Sequence, residues 1–174
     1  MPNTNHIGNT ANGNLIDALC SKPGFTLQGR TTNLPIYEIR YYDFKNSPLS
    51  GLNFDIVVRS IVRDNLKDAQ NGYRQPTDHD DRLGNLTHAP AGRIVYREYF
   101  LSGNGFTWPG FLRLVADMGN RRLFITPTHY DVWVTVPNVA AGLNIANPVA
   151  PGAAGARNPF FLITGASAVN EVFR

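Results

Sequence analysis

The fold is decided by residues 93–136, which read RIVYREYFLSGNGFTWPGFLRLVADMGNRRLFITPTHYDVWVTV. Short runs rich in Val, Ile, Leu and aromatic residues alternate here with turn-forming residues, a pattern typical of consecutive β-strands. The expected strands are 94–101, 111–116, 122–126 and 130–136, with a hairpin turn at 118–121. This stretch therefore predicts an antiparallel meander.

Residues on either side of the meander add one helix and two strands. Residues 35–44 alternate loosely and residues 160–164 form a short apolar run, so both are expected to be strands. Residues 54–69 carry apolar side chains at helical spacing, from Phe54 to Val62. The expected fold class is α+β: one main helix packed on an antiparallel four- to five-stranded sheet, mostly β.

The chain length suits one domain, or one domain with a tail. Residues 1–14 are rich in Asn and are expected to be a flexible arm, with one domain over 15–174. Residues 71–92 are a long polar connection. Residues 137–157 are rich in Ala, Gly, Pro and Asn, which predicts a loose surface excursion.

The composition excludes some classes of protein. With 43% apolar and 17% charged residues, the chain is too apolar to be disordered. Cys20 is the one cysteine, so the chain has no internal disulfide and no thiolate zinc site. A net charge of +3 permits binding to a polyanion without establishing it.

The chain shows no signal for membrane insertion. Residues 1–14 lack the basic start and apolar run of a signal peptide. No apolar stretch is long enough to span a bilayer. We therefore expect a protein with no membrane contact that is cytoplasmic, exported by an unmarked route, or part of a longer chain.

Three side chains of the meander are candidates for one site. If the turn at 118–121 is centred between its two middle residues, Arg113 lies opposite Thr126. If the preceding loop is centred between residues 105 and 106, Glu98 lies opposite Arg113. Side chains alternate between the two faces of a sheet, and residues directly opposite each other lie on the same face. His129 follows at the end of the third strand. This register predicts a carboxylate, a guanidinium and an imidazole on one patch.

These groups fit cleavage of RNA by transphosphorylation. Glu98 can accept the proton of the ribose 2′-hydroxyl, and His129 can protonate the departing 5′-oxygen. Arg113 can stabilise the charge that develops on the phosphoryl oxygens. The reaction needs no metal or other cofactor, and it leaves DNA uncut because DNA lacks the 2′-hydroxyl. Each residue alone also fits an ordinary structural role, such as a cross-strand ion pair.

Three segments resemble parts of the microbial ribonucleases of the barnase and T1 type. Residues 91–100 resemble the strand that carries the catalytic glutamate of that family. Residues 112–115 resemble the next strand, which opens with the phosphate-binding arginine. Residues 128–130, Thr-His-Tyr, are similar to the Asp-His-Tyr signature. The resemblance covers roughly residues 78–136.

The resemblance implies roles for further residues. Glu98, Arg113 and His129 take the catalytic positions, and Tyr130 stacks near the base. Arg82 lies where the family has a guanine-reading loop and is a second phosphate-binding candidate. The family's glutamate there is replaced by Leu83, so Asp80 or Asp81 is the substitute candidate and guanine preference stays open. The family also implies an RNA substrate, a toxin role and an acidic inhibitor protein as partner.

Three other interpretations stay open. A metal enzyme would use His and carboxylate groups of the polar connection, such as His79 and His88, together with His129. An ADP-ribosyltransferase toxin would use a strand arginine such as Arg40 and a late glutamate such as Glu171. A non-enzymatic β-rich binding or structural protein would use none of these groups chemically.

Overall fold

A computed structural model describes residues 26–28, 34–41, 76–81, 84–86, 96–100, 113–126, 128–138, 142–145, 149–165 and 173. These residues contain nine strands. They are β1 Thr26–Gln28, β2 Ile36–Arg40, β3 Thr77–His79, β4 Tyr96–Phe100, β5 Arg113–Asp117, β6 Arg122–Thr126, β7 Thr135–Asn138, β8 Gly142–Ile145 and β9 Phe161–Thr164.

Seven of these strands form one mixed sheet in the order β1-β2-β9-β6-β5-β4-β3. The strands β6, β5, β4 and β3 are neighbours and run antiparallel. The strands β2 and β9 are parallel, whereas β1 and β6 pair antiparallel on either side of them. The strands β7 and β8 form a separate two-stranded sheet.

The expected α+β fold is therefore wrong for the described part of the chain, which is all-β. It contains no helix, and its main sheet has seven strands and one parallel pair in place of four or five antiparallel strands. The helix expected at 54–69 and the arm expected at 1–14 lie outside the described residues.

The extra strands were not predicted because they are short or because their partners are distant in the chain. The strands β1 and β3 have three residues each, which is too short for an alternating pattern to be distinguished from a loop. The parallel contact of β2 with β9 joins Tyr37 to Phe161, and no local pattern reports a partner so distant in the chain.

The fourth strand of the expected meander is also absent. Within 130–136, Tyr130 lies in a turn, and Trp133 makes one isolated bridge to Arg157. Strand β7 begins only at Thr135 and pairs with β8, inside the segment expected to be a loose excursion. The position next to β6 is taken by β9, which coincides with the strand expected at 160–164.

The β5–β6 hairpin agrees with the expected turn at 118–121. The Asp117 carboxylate accepts hydrogen bonds from the Asn120 backbone and side chain, at 2.9 Å each, and from Arg122 at 2.7 Å. Burial raises the pKa of the Asp117 carboxyl, but the bonds from Arg122 and Asn120 outweigh it, so the net pKa lies below its usual range. These hydrogen bonds fix the register of the hairpin, and Arg113 lies opposite Thr126 as expected.

Both faces of the sheet are covered around β5, since all five of its residues are buried. One face carries an apolar core centred on Val115, Phe124 and Leu162, on neighbouring strands. Phe160 and Tyr96 extend this core. The site described below lies on this same face. No helix of sufficient length and apolarity to span a bilayer occurs among the described residues.

Candidate active site

Three adjacent strands bring His79, Glu98 and Arg113 together. The strands are β3, β4 and β5, and the pairing places all three side chains on the face that carries the Phe124 core. The Nε of Arg113 donates to Oε1 of Glu98 at 3.2 Å. On the other side, Nδ1 of His79 lies 3.4 Å from Oε2 of Glu98. The carboxylate of Glu98 is thus held between a guanidinium and an imidazole.

The register of this contact differs from the expectation. Glu98 lies opposite Val115, and Arg113 lies opposite Phe100. The expected direct pairing of Glu98 with Arg113 is therefore wrong by two residues. An even shift keeps a side chain on the same face, so the two groups still meet, diagonally across the strand pair.

Burial makes this a strong electrostatic arrangement. Arg113 is 2% exposed and Glu98 is 7% exposed, so solvent screens their charges little. Burial alone raises the pKa of the Glu98 carboxyl. Hydrogen bonding to His79 and Tyr130, together with the charge of Arg113, outweighs it and holds the net pKa below its usual range. Glu98 is therefore a carboxylate at neutral pH.

One ring nitrogen of His79 has no hydrogen-bond partner in the described part of the chain. This nitrogen is Nε2, which is buried. The other imidazole nitrogen, Nδ1, faces the Glu98 carboxylate. A carboxylate that orients an imidazole in this way is the arrangement used for proton transfer.

Tyr130 packs against the cluster formed by His79, Glu98 and Arg113. Its ring centroid lies 4.6 Å from that of His79, 5.6 Å from that of Phe160 and 5.1 Å from that of His129. Its buried phenol oxygen lies near enough to Glu98 to lower the pKa of that carboxyl, but it makes no hydrogen bond of regular geometry among the described residues. Burial raises the pKa of the Tyr130 phenol far above its usual range, and the nearby Glu98 carboxylate raises it further. The Tyr130 phenol is therefore protonated at neutral pH and can act only as an uncharged hydrogen-bond donor or acceptor.

Phe160 is held in this position by a buried amide. Asn158 is fully buried, and its side-chain oxygen accepts the Phe160 N–H at 2.9 Å. Its amide nitrogen donates to the carbonyls of Leu34 and Asn85, at 3.2 and 2.9 Å. Asn158 thus joins three chain segments beneath the aromatic rings.

His129 and Tyr130 are the two central residues of a tight turn. The Asp131 N–H donates to the Thr128 carbonyl at 3.2 Å, and both central residues have positive φ, 52° and 71°. This is the φ pattern of a type I′ turn, which ordinarily takes Asn or Gly. The turn directs Tyr130 onto the cluster and leaves His129 exposed beside it.

The expected site residues are thus placed as follows. The structure joins Glu98 and Arg113 directly, packs the Tyr130 ring against His79 and leaves His129 exposed next to Tyr130. Asp81 is buried, and its two carboxylate oxygens accept the N–H groups of Asn85 and Leu86, at 2.9 and 3.0 Å. These bonds shape its own loop. Arg82 lies outside the described residues.

The contact of His79 with Glu98 was not predicted from the sequence. The polar residues around His79 predict a loop, so this histidine was expected only as a metal ligand. The signal that identifies it is the pairing of β3 with β4, which sets His79 opposite Tyr96 on the site face. That pairing was not readable from a three-residue strand.

The residues of the other two enzyme interpretations are less concentrated. Among the described residues, no three His, Cys, Asp or Glu side chains form a group able to bind a metal, and His88 is not described. Arg40 is exposed at the end of β2, and Glu171 lies outside the described residues.

Comparison with known proteins adds no relative. No family model matches the sequence, and no curated protein or solved structure is significantly similar to the chain. The case for a function therefore depends on the residues of the cluster and on the segments that resemble the ribonucleases.

Proposed function

We propose that this protein is an endoribonuclease that cleaves RNA by transphosphorylation, leaving a 2′,3′-cyclic phosphate, without a metal ion. The observation that carries the proposal is the contact of Glu98 with Arg113 on one side and with His79 on the other. One sheet face thus carries a cation that can bind a phosphate, Arg113, and two groups that can accept or donate a proton, Glu98 and His79. Metal-independent cleavage of RNA can use this combination.

In the first half of the reaction, the ribose 2′-hydroxyl loses its proton to the pair formed by Glu98 and His79. The lowered pKa of Glu98 keeps it ionised but makes it a weak base alone. His79 has an unused Nε2, so it strengthens the pair as a proton acceptor. The 2′-oxygen then forms its bond to phosphorus.

In the second half, the bond from phosphorus to the 5′-oxygen breaks. His129, exposed beside the cluster, protonates that oxygen as it leaves. The guanidinium of Arg113 stabilises the negative charge on the phosphoryl oxygens. Tyr130 offers an aromatic face on which a base can stack. A toxin role and an acidic inhibitor protein remain expectations from the resemblance to the ribonucleases.

The test is incubation of the purified protein with a short RNA in excess chelator, followed by identification of the product ends. We expect cyclic phosphate ends from RNA and no cleavage of the matching DNA. Glu98→Gln and His129→Ala should each lower kcat/KM by at least about 100-fold. Arg122→Lys is the matched control, since Arg122 also pairs with a buried carboxylate of the hairpin but lies outside the cluster. Intact RNA with folded protein would refute the proposal.

A second candidate is a non-enzymatic β-rich binding or structural protein. One observation favours it: Arg113 is 2% exposed, and a buried ion pair can serve the fold alone. In that case Glu98→Gln changes only the free energy of unfolding, and no variant changes RNA cleavage because there is none. The same incubation therefore separates the two candidates.

A further inference from the structure

The turn that carries His129 and Tyr130 has an unfavourable backbone. Two successive residues with side chains adopt positive φ, at 52° and 71°. Left-handed backbone is disfavoured for residues with a Cβ, and it persists where the surroundings hold it in place. Some contact must therefore maintain this conformation.

Thr128 supplies that contact. Its side chain is 1% exposed, and its hydroxyl donates to the Asp131 carbonyl at 2.9 Å. The Asp131 N–H returns a hydrogen bond to the Thr128 carbonyl at 3.2 Å. The two ends of the turn are thus joined by two hydrogen bonds, one of which depends on a side chain.

A second hydroxyl holds the turn from the sheet. Oγ1 of Thr126 accepts the Tyr130 N–H at 3.4 Å, and Thr126 is fully buried opposite Arg113. The strand that faces the Arg113 guanidinium is therefore tied to the backbone of Tyr130. The turn is thus closed by Thr128 and anchored to the sheet by Thr126.

We propose that Thr128 is a positioning residue, whose hydroxyl sets the turn so that Tyr130 packs against His79 and His129 lies exposed beside Tyr130. This inference rests on the proposed ribonuclease function. Thr128 touches neither substrate nor reacting atoms; it acts through the two residues that follow it. The hydroxyl is the essential group, because the side chain is buried and its one donor is aimed at the turn.

The test compares Thr128→Val with Thr128→Ser. Valine keeps the shape of threonine but removes the hydroxyl, whereas serine keeps the hydroxyl. Small misplacement of a reacting group costs up to about 100-fold in rate, so we expect Thr128→Val to lower kcat about 10- to 100-fold, corrected for the folded fraction. Thr128→Ser should stay within about threefold of the native protein, and KM should change less than kcat in both.

A readout independent of cleavage is the NMR spectrum of the His79 ring. Tyr130 lies 4.6 Å from this ring and shifts its resonances, so Thr128→Val should move them toward unperturbed values while Thr128→Ser should not. If native protein leaves RNA intact, the proposed function fails, and the spectra still decide whether Thr128 sets the turn. Equal kcat and equal His79 resonances in the two variants would overturn the inference. Should Thr128→Val not fold, Thr128→Ala removes the same hydroxyl with a smaller side chain and is compared with Thr128→Ser by the same two readouts.

Discussion

The buried ion pair between Glu98 and Arg113 makes a quantitative prediction about stability. Replacing one partner of a buried pair leaves the other charge uncompensated, which typically costs about 3–5 kcal/mol. We expect Arg113→Met to fall at the lower end of this range, because His79 still lies against the Glu98 carboxylate. Glu98→Gln should cost about 1.5–3 kcal/mol, since glutamine keeps an acceptor for Arg113 but loses the charge.

The double variant gives the decisive measurement. Once one partner is gone, removing the other costs less, so the two single effects should exceed the effect of the double variant. The difference is the coupling energy, which we expect to lie between about 1 and 3 kcal/mol for side chains in direct buried contact. The assay is urea unfolding of the native protein, both single variants and the double variant, with the slope m compared among them.

A matched cycle on the neighbouring β5–β6 hairpin serves as the control. Asp117 and Arg122 form an ion pair at 2.7 Å, but the Arg122 side chain is 24% exposed, so solvent weakens its charge interaction. Asp117→Asn with Arg122→Met should therefore give a smaller coupling energy than the Glu98 cycle. A coupling energy below about 0.5 kcal/mol for Glu98 and Arg113 would refute the buried contact on which the site is built.

Three further predictions concern stability. Because folding lowers the pKa of Glu98, the contribution of this carboxylate to stability is fully present above pH 4.5 and is lost as the pH falls through the lower folded value. In Glu98→Gln, the free energy of unfolding should therefore decline less at acid pH than in the native protein. An unchanged pH profile would contradict the assigned contacts. Asn158→Ala leaves backbone groups of three segments unpaired, of which those of Asn85 and Phe160 are buried. It should therefore cost at least about 2 kcal/mol in urea unfolding; a cost below about 0.5 kcal/mol would show that the amide does not join them. Gly155→Ala places a Cβ at a φ of 75° without a close steric contact, and thermal unfolding should show a loss of about 1 kcal/mol from backbone strain. The matched control is Gly152→Ala, where a Cβ has open space and φ is not left-handed; equal Tm values for the two variants would rule out this strain.

The sequence alone located the elements whose signal is local. The hairpin of β5 and β6 follows from two apolar runs separated by a turn, and its centring placed Arg113 opposite Thr126. Glu98 and Arg113 could be selected together, because face alternation survives an even error in register. The chemistry of the candidate residues was likewise readable from their types.

Only the tertiary structure decided the partners of these elements. The parallel contact between β2 and β9 and the place of β9 beside β6 join segments that are remote in the chain. The position of His79 against Glu98 depends on a three-residue strand that gains its regular backbone by pairing with β4. Hydrophobic alternation reports which face of a strand is buried, but it does not report which other strand completes its hydrogen bonds, because every extended backbone presents the same donors and acceptors.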